Sequence, residues 1–493
     1  MIPDDPSRAE PGLEAGSLKD RHALVLGLGR YGGGLETTRF LVGEGAQVRV
    51  ADSGSPEALA EPAQAVRDLG AEVVFGPQEP ALLKGIDLVV ASPAIPFEHP
   101  LLLEATRRGL PVTTETNFVV ARVTAPVLGI TGTKGKSTTT ALVTSMLRAT
   151  GRRVHQGGNI GRPLVAELDR IGPGDVVVLE LSSFQLWWTR RIQRSPHVTL
   201  VTNLFPEHID RHGTLEHYAR AKRAALDFQS PRDVAVLPAD DEAVRSAGWL
   251  DAGNARRLLW GRGGDIVLDG GDVVGSFGRA SLQGLQLFGA HNRRNALAAA
   301  AAVSALLDQP VLAIERGARD TQPLPHRLQP VHDEGGVLFV DDSNSTHPEA
   351  AMAALRSFDR PIVLIAGGKD KGADRTALLD AIRKQTRAVV AIGTTGPELA
   401  AALGDHPVTV IPGSMAEAVE AARGLARPGD VVLLSPAFSS LDQYASYAVR
   451  GDAFREAAAA SPKASRCSPA RRASVARNSR PSSVSAVCSR ISR

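Results

Sequence analysis

Gly129-Ile130-Thr131-Gly132-Thr133-Lys134-Gly135-Lys136-Ser137-Thr138-Thr139 follows an apolar run and leads into a helix-forming segment. Glycines let successive backbone N–H groups point at phosphate oxygens, and the helix that follows presents its positive end to the same anion. Lys136 adds a mobile charge, and the Ser137 hydroxyl is placed to ligate magnesium. The common phosphate loop has a glycine five residues before Gly135, where this chain has Ile130, so the motif is a shorter Thr-Gly-Thr-x-Gly-Lys-Ser form. A glycine-rich strand-to-helix turn without a ligand would have little use for Gly-Lys-Ser at a helix start.

The 493 residues exceed what one hydrophobic core supports and suggest about three domains. With 43% apolar and 22% charged residues the chain has the make-up of a soluble globular protein, and its net charge of +3 is not that of a nucleic-acid binder. Residues 461–493 hold eight Lys and Arg and no Asp or Glu, so removing them leaves −5 for the rest. Both cysteines, Cys467 and Cys488, lie in that tail, which leaves residues 1–460 without a disulfide or a thiolate zinc site and fits a reducing cytoplasm. The amino terminus lacks the basic-then-apolar build of a signal peptide, and the longest weakly polar run, 296–307, is too short to span a bilayer. Cytoplasmic location without membrane contact is the expectation.

Outward from the loop, short apolar runs alternate with helical patterns, which predicts α/β architecture throughout. Residues 1–20 read as a disordered lead-in. From 21 to 124, strands at 22–26, 47–51, 72–75, 88–91 and 112–114 alternate with helices, beginning with one at 35–43. From 125 to 325, strands at 127–131, 175–180 and 198–202 are joined by a Gly- and Asp-rich segment, 261–288, read as antiparallel strands added beside the parallel sheet, and by a helix at 295–307. From 326 to 460, strands at 337–340, 362–366, 388–392 and 431–434 form another α/β unit. Residues 461–493, with ten serines and no aromatic residue, read as a disordered basic tail.

Gly27, Gly29 and Gly32 satisfy G-x-G-x-x-G, with Asp52 twenty residues later at the end of the next strand. That is either a nucleotide-diphosphate site with Asp52 on a ribose or base, or a tight turn allowing close helix packing. Glu180 ends an apolar strand and is placed to hold a magnesium ion bridging ATP phosphates. Asn203, Glu207, His208, Asp210, Arg211 and His212 follow the next strand, so magnesium or substrate contact is favoured for His208. Tyr218 and Lys222 come at helical spacing; Lys222 by itself reads as a solvated helix charge. Asn295 is a plausible N-cap and Asn292 a possible base-reading amide, while Arg327 is a candidate phosphate clamp. Polar loops at 341–343, 367–374 and 435–444 end strands of the third unit, where an open α/β sheet builds a site.

Taken together, the Thr-Gly-Thr-Lys-Gly-Lys-Ser-Thr loop, Gly157-Gly158-Asn159-Ile160-Gly161, Leu179-Glu180-Leu181-Ser182-Ser183-Phe184-Gln185-Leu186, the His291–Asn295 segment and Ser435-to-Tyr444 resemble the Mur ligase family across residues 20–458. The resemblance implies a Rossmann-like N-terminal domain, a central P-loop ATPase domain and a Rossmann-like C-terminal domain. It also implies ATP-dependent joining of D-glutamate to UDP-N-acetylmuramoyl-L-alanine through an acyl phosphate, in peptidoglycan precursor synthesis. A monomer acting on small molecules, with no nucleic-acid partner for the folded part, is expected. Gly132, Thr133, Lys134, Gly135, Lys136, Ser137, Thr138, Asn292, Asn295, Arg327 and Asp342 then match ATP-binding positions. Asp52, Ser53, Ser92, Pro93, Ala94, Asn159, Ser182 and Gln185 match contacts to the UDP-substrate, and Lys371, Ser440, Leu441 and Tyr447 match the D-glutamate pocket. Lys136, His208 and Lys222 become the catalytic set. Ser137 and Glu180 would hold one magnesium, with His208 and a carbamylated Lys222 holding a second. Lys134 stands where the family has asparagine, Asn344 where Asp-Ser-Lys is usual, Ala94 in place of glycine and Tyr447 in place of phenylalanine. An NAD-dependent oxidoreductase built on Gly27–Asp52, or a non-catalytic nucleotide-binding regulator, are the rival readings.

Overall fold

The computed structural model describes residues 13, 16–29, 32–161 and 163–460. The first sheet contains β1 (His22–Leu26), β2 (Gln47–Asp52), β3 (Glu72–Phe75), β4 (Leu88–Ala91) and β5 (Val112–Thr113), all parallel in the order β3-β2-β1-β4-β5. Leu26 pairs with both Ala51 and Ala91, so the chain leaves β1, β2 and β4 at one edge of the sheet. The strand order reverses at β1 and β4, and there a doubly wound sheet opens a crevice. The lead-in expectation is corrected near its end: Leu13 and Leu18 are buried in this domain's core, and the Asp20 N–H donates to the Gly45 carbonyl at 3.0 Å. Most of the lead-in, and the basic tail, lie outside the described residues.

The second sheet runs β11-β10-β9-β6-β8-β7, again parallel, from β6 (Val127–Thr131), β7 (Val154–Gly158), β8 (Val176–Glu180), β9 (Val198–Val201), β10 (Val234–Pro238) and β11 (Arg256–Trp260). Its central strands are buried from end to end, as the unbroken apolar runs require of a sheet covered on both faces. Ile130 pairs with Glu180 and Thr131 with Val201, which brings the phosphate loop, the Glu180 carboxylate and the loop after β9 to the same edge. The glycine-rich segment forms a separate sheet rather than extending this one. Its strands β12 (Val267–Asp269), β13 (Asp272–Gly275) and β14 (Gly278–Ala280) form an antiparallel meander, with Ile266, Val273 and Ala280 in the core of the central domain. The Ala-rich helix spans Ala290–Ser304, five residues earlier than expected at its start, because Gly289 at φ +89° supplies the N-cap. Asn295 therefore lies inside the helix, which corrects its reading as a cap.

The third sheet contains β15 (Gln329–Glu334), β16 (Val337–Asp341), β17 (Ile362–Gly367), β18 (Thr386–Ile392), β19 (Val408–Ile411) and β20 (Val431–Leu434), in the order β15-β16-β20-β17-β18-β19. Only β15 is antiparallel to its neighbour. Asp341 and Ile365 both pair with Leu434, so the three polar loops leave adjacent strands side by side.

The first two domains share apolar surface. Trp187 and Trp188, on the helix Ser183–Thr189, pack with Phe97, Leu101 and Leu102 of the first domain, and the Asn117 amide donates to the Trp188 carbonyl at 3.1 Å. Gln185 reaches across the same interface, donating from Nε2 to Thr116 Oγ1 at 2.9 Å.

Candidate active site

The phosphate loop is held from behind by the chain leaving β9. Gly132, at φ +135°, lies so close to it that a Cβ would stand 2.1 Å from Thr202 Oγ1. Asn203 accepts the Thr133 N–H at its carbonyl and the Lys134 N–H at Oδ1, while Thr133 Oγ1 donates to the Phe205 carbonyl. Gly135 caps the helix Lys136–Arg148 with no side-chain cap, which leaves the helix's first amides to an anion. The Asn295 side chain lies against Gly135, where a Cβ would come within 2.5 Å of Oδ1. Asn203 is thus a clamp on this loop.

Lys136 folds back to donate to the Thr133 carbonyl at 2.8 Å. Burial lowers its pKa, opposed by Glu180 and Glu207, while Lys134 and Arg327 lower it further. Arg327 itself is exposed just beyond the second domain. Glu180 is 1% exposed: Oε1 accepts from Asn159 Nδ2 at 2.9 Å, and the buried Oε2 has no hydrogen-bond donor. Lys222 lies on the inner face of the helix Leu215–Asp227, 2% exposed, donating from Nζ to the Gly132 carbonyl at 2.8 Å under the Tyr218 ring. Burial, then Lys136, push its pKa well below the usual lysine range, so the reading of a solvated helix charge does not hold. The Tyr218 hydroxyl donates to Thr133 Oγ1, tying the same helix to the loop.

His208 has φ +55°, a left-handed conformation that costs energy in a non-glycine residue and turns its ring onto Phe184 at 5.1 Å. Burial lowers its pKa. His212, buried beneath it, contacts Ser183 Oγ and His217 Nδ1, each at 2.9 Å, and desolvation followed by the His217 charge pushes its pKa down to about 3. As the pH falls from 6.5 toward 3, this imidazole takes up a proton in the unfolded chain before it does in the folded one. Its contribution to stability is therefore complete above pH 6.5 and is lost as the pH falls. His212→Phe is expected to flatten the fall in Tm between pH 7 and pH 5, measured by calorimetry against the native chain; an unchanged slope would place the acid sensitivity elsewhere.

At the first-domain crevice, Asp52 works locally. Its carboxylate accepts the N–H groups of Leu28, Gly29 and Gly54 at 2.8, 3.2 and 2.7 Å, which fixes the turn after β1. The close-packing glycine is Gly34, where a Cβ would lie 2.5 Å from the Gly27 carbonyl oxygen. Ser53 and Ala94 are exposed and Ser92 and Pro93 half-buried at the same crevice. Ser182 and Gln185 form a reciprocal capping box at the start of their helix, so those polar atoms already have partners.

In the third domain, Asp342 is 5% exposed and accepts from Leu328 N, Ser345 Oγ and Ser435 Oγ. Desolvation nonetheless pushes its carboxyl up to about 7. Asn292 spends its amide on the Phe288 carbonyl, at 2.8 Å. Lys371 joins Thr346, His347, Asp370, Arg375 and Phe438 around a small pocket. Leu441 and Tyr447 are 65% and 42% exposed apolar side chains of this domain, and Ser440 is buried. Arg450, which no motif marks, is 1% exposed and donates to Ser343 Oγ, the Ser343 carbonyl and the Phe438 carbonyl, locking the loops after β16 and β20 together.

Three consecutive segments match known domains: residues 21–114 the Mur ligase MurD-like N-terminal domain, 130–303 the Mur ligase middle domain, and 326–438 the Mur ligase glutamate ligase domain. A UDP-N-acetylmuramoylalanine--D-glutamate ligase of Pelotomaculum thermopropionicum is 39% identical over 456 residues, covering 89% of this chain and 98% of that one. The chain belongs to the Mur ligase family. A Rubrobacter xylanophilus protein of the same name is 40% identical over 88% of this chain and 97% of its own. Among solved structures, the UDP-N-acetylmuramate-alanine ligase of Thermotoga maritima superposes with a TM-score of 0.56 at 18% identity, covering 88% and 98% of the two chains. The MurF ligase of the same organism, in complex with ADP, gives 0.54 at 16% identity over 92% and 98%. The three-domain Mur ligase architecture thus agrees with the fold read from the sequence.

Against that family, the four departures have definite places. Lys134 Nζ pairs with Glu207 at 2.6 Å. The Asn344 N–H donates to the His326 carbonyl at 3.0 Å. Ala94 accepts from Arg211 at 3.5 Å, and the Tyr447 ring meets His326 edge-on at 6.1 Å.

Proposed function

We propose that this chain joins D-glutamate to UDP-N-acetylmuramoyl-L-alanine with conversion of ATP to ADP and phosphate, a cytoplasmic step of peptidoglycan precursor synthesis. The observation that carries the reading is near full-length similarity to ligases of that name, together with a phosphate loop, a buried carboxylate and a buried lysine at one sheet edge. No helix among the described residues is long and apolar enough to cross a membrane.

The free amides at the start of the helix, Gly135–Thr138, receive the β- and γ-phosphates, with Gly132, Thr133 and Lys134 shaping the cradle, and Lys136 moves from the Thr133 carbonyl to the γ-phosphate. Asn295, beside Gly135, and Asn292 flank the nucleotide, while Arg327 and Asp342 close it from the third domain. The orphaned Oε2 of Glu180 and the Ser137 hydroxyl are hard oxygen donors that suit magnesium. Those two residues would hold such an ion; among the described residues no three His, Cys, Asp or Glu side chains converge. When bound, magnesium neutralises phosphate charge. His208 and Lys222 are assigned to a second ion. A lysine whose pKa burial pushes down can add carbon dioxide, with loss of a proton, to become a carbamate, which turns a cation into an oxygen ligand.

A carboxylate is a poor acyl donor because oxide would have to leave. Its oxygen instead attacks the γ-phosphorus and ADP departs; the acceptor amine then attacks the acyl carbon, and phosphate leaves with one former carboxylate oxygen. Asp52, Ser53, Ser92, Pro93, Ala94, Asn159, Ser182 and Gln185 are assigned to the UDP-substrate. Lys371 pairs with the side carboxylate of D-glutamate, and Ser440, Leu441 and Tyr447 shape its pocket. With oxygen-18 in the donor carboxylate, the released phosphate is expected to carry one labelled oxygen, read by mass spectrometry. Unlabelled phosphate would exclude the acyl phosphate.

A further inference from the structure

Lys134 is set apart from the other residues of the phosphate loop. Its backbone is fully tied: the N–H donates to Asn203 Oδ1 at 2.8 Å, and the carbonyl accepts from Thr202 Oγ1 at 2.8 Å and Asn203 Nδ2 at 3.0 Å. The loop is thus held at this residue by its backbone, before the side chain is counted. The side chain is 67% exposed and ends on Glu207, itself 28% exposed, at 2.6 Å. An ion pair this open contributes little to folding and exchanges partners readily.

Charge around the loop is unbalanced in a particular direction. Lys134 and Arg327 both lie within electrostatic reach of Lys136, with Glu180 and Glu207 as the opposing charges. Lys136 is turned inward over the loop, whereas Lys134 extends outward to Glu207. Lys134 and Glu207 also lie within electrostatic reach of His347, which lines the Lys371 pocket of the third domain. The lysine thus lies on the side of the cleft where the acceptor loops are, and the terminal phosphate must face that side to be transferred.

We propose that Lys134 is a second phosphate-binding cation, kept on Glu207 until a nucleoside triphosphate arrives and then exchanged onto its terminal phosphate, so that this chain discriminates triphosphate from diphosphate more strongly than Lys136 alone allows. This rests on the reading of the loop as an ATP site. Glu207 keeps the ammonium within reach of the phosphate and screens it from Lys136 in the empty loop, which limits the cost of two neighbouring cations.

The test is calorimetric titration of ATP, ADP and AMP with magnesium into the full chain and into Lys134→Asn and Lys134→Arg, with Tm recorded for each. Lys134→Asn is expected to weaken ATP about tenfold, the worth of one charge-assisted hydrogen bond, and ADP less than about twofold. Lys134→Arg, which keeps the charge, should hold ATP within about threefold of the native chain. Equal loss of ATP and ADP, or no loss with a lowered Tm, would overturn the proposal and make the pair a structural staple. Failure of the native chain to bind ATP would instead defeat the reading on which the proposal rests.

Discussion

Lys136→Met is expected to fold with near-native Tm and to lose about 10³-fold in turnover, the scale of removing a preorganised charge from a phosphoryl-transfer site. The ammonium makes one hydrogen bond, to the Thr133 carbonyl, and burial already disfavours its charge, so little of the fold rests on it. What it supplies is realised when the terminal phosphate and then the tetrahedral intermediate carry negative charge. Methionine keeps the length and apolar stem of the side chain, which confines the change to the charge. Single-turnover phosphate release measures the effect apart from product dissociation. ATP affinity should fall far less than turnover, and equal losses would mean that Lys136 only anchors the ground state.

Lys222→Ala is expected to cost about 10²–10³-fold in turnover and, because it empties a buried site beneath Tyr218 and leaves the Gly132 carbonyl without its donor, about 2–3 kcal/mol of stability. Lys222→Met keeps the volume and separates the two losses. Burial holds the amine well below its usual pKa, and the neutral form is the one that reacts with carbon dioxide. The native enzyme should therefore slow in carbon dioxide-free buffer and recover on adding bicarbonate, and a short carboxylic acid should restore part of the Lys222→Ala activity. Near-normal turnover of both variants without bicarbonate would remove Lys222 from the chemistry.

The positions of most central strands and the edge of the sheet carrying the site were legible because central parallel strands are continuous apolar runs followed by polar loops, although Val234–Pro238, equally buried, was missed. β1, β4 and β20 end where the sequence places them, at Leu26, Ala91 and Leu434. The edge strands of the first sheet, at 72–75 and 112–113, were read as well, but other edge strands gave no such signal. Gln329–Glu334 and Val408–Ile411 alternate with polar residues and are only partly buried, and Val154–Gly158 ends in two glycines. The burial of Lys222 was encoded but easy to miss: Tyr218, Ala221, Lys222, Ala225 and Leu226 recur at helical spacing and mark one inward face. Asp52, Ser182 and Gln185 were read for ligands, and the structure gives their polar atoms to a turn and a helix cap. Local hydrogen bonding of that kind has the same sequence signature as recognition, because both require a polar side chain beside free backbone amides. Arg450 carried no signal at all, since its partners, at Ser343 and Phe438, meet only in the folded sheet.

The central claim is the identity of the acceptor, and it is tested by supplying the full chain with UDP-N-acetylmuramoyl-L-alanine, ATP, magnesium and one amino acid at a time while following phosphate release. Lys371, on the small pocket proposed for the acceptor, would pair with a side-chain carboxylate. Release that requires D-glutamate and the muramoyl nucleotide together is the predicted result; preference for L-alanine, L-lysine or diaminopimelate would contradict it.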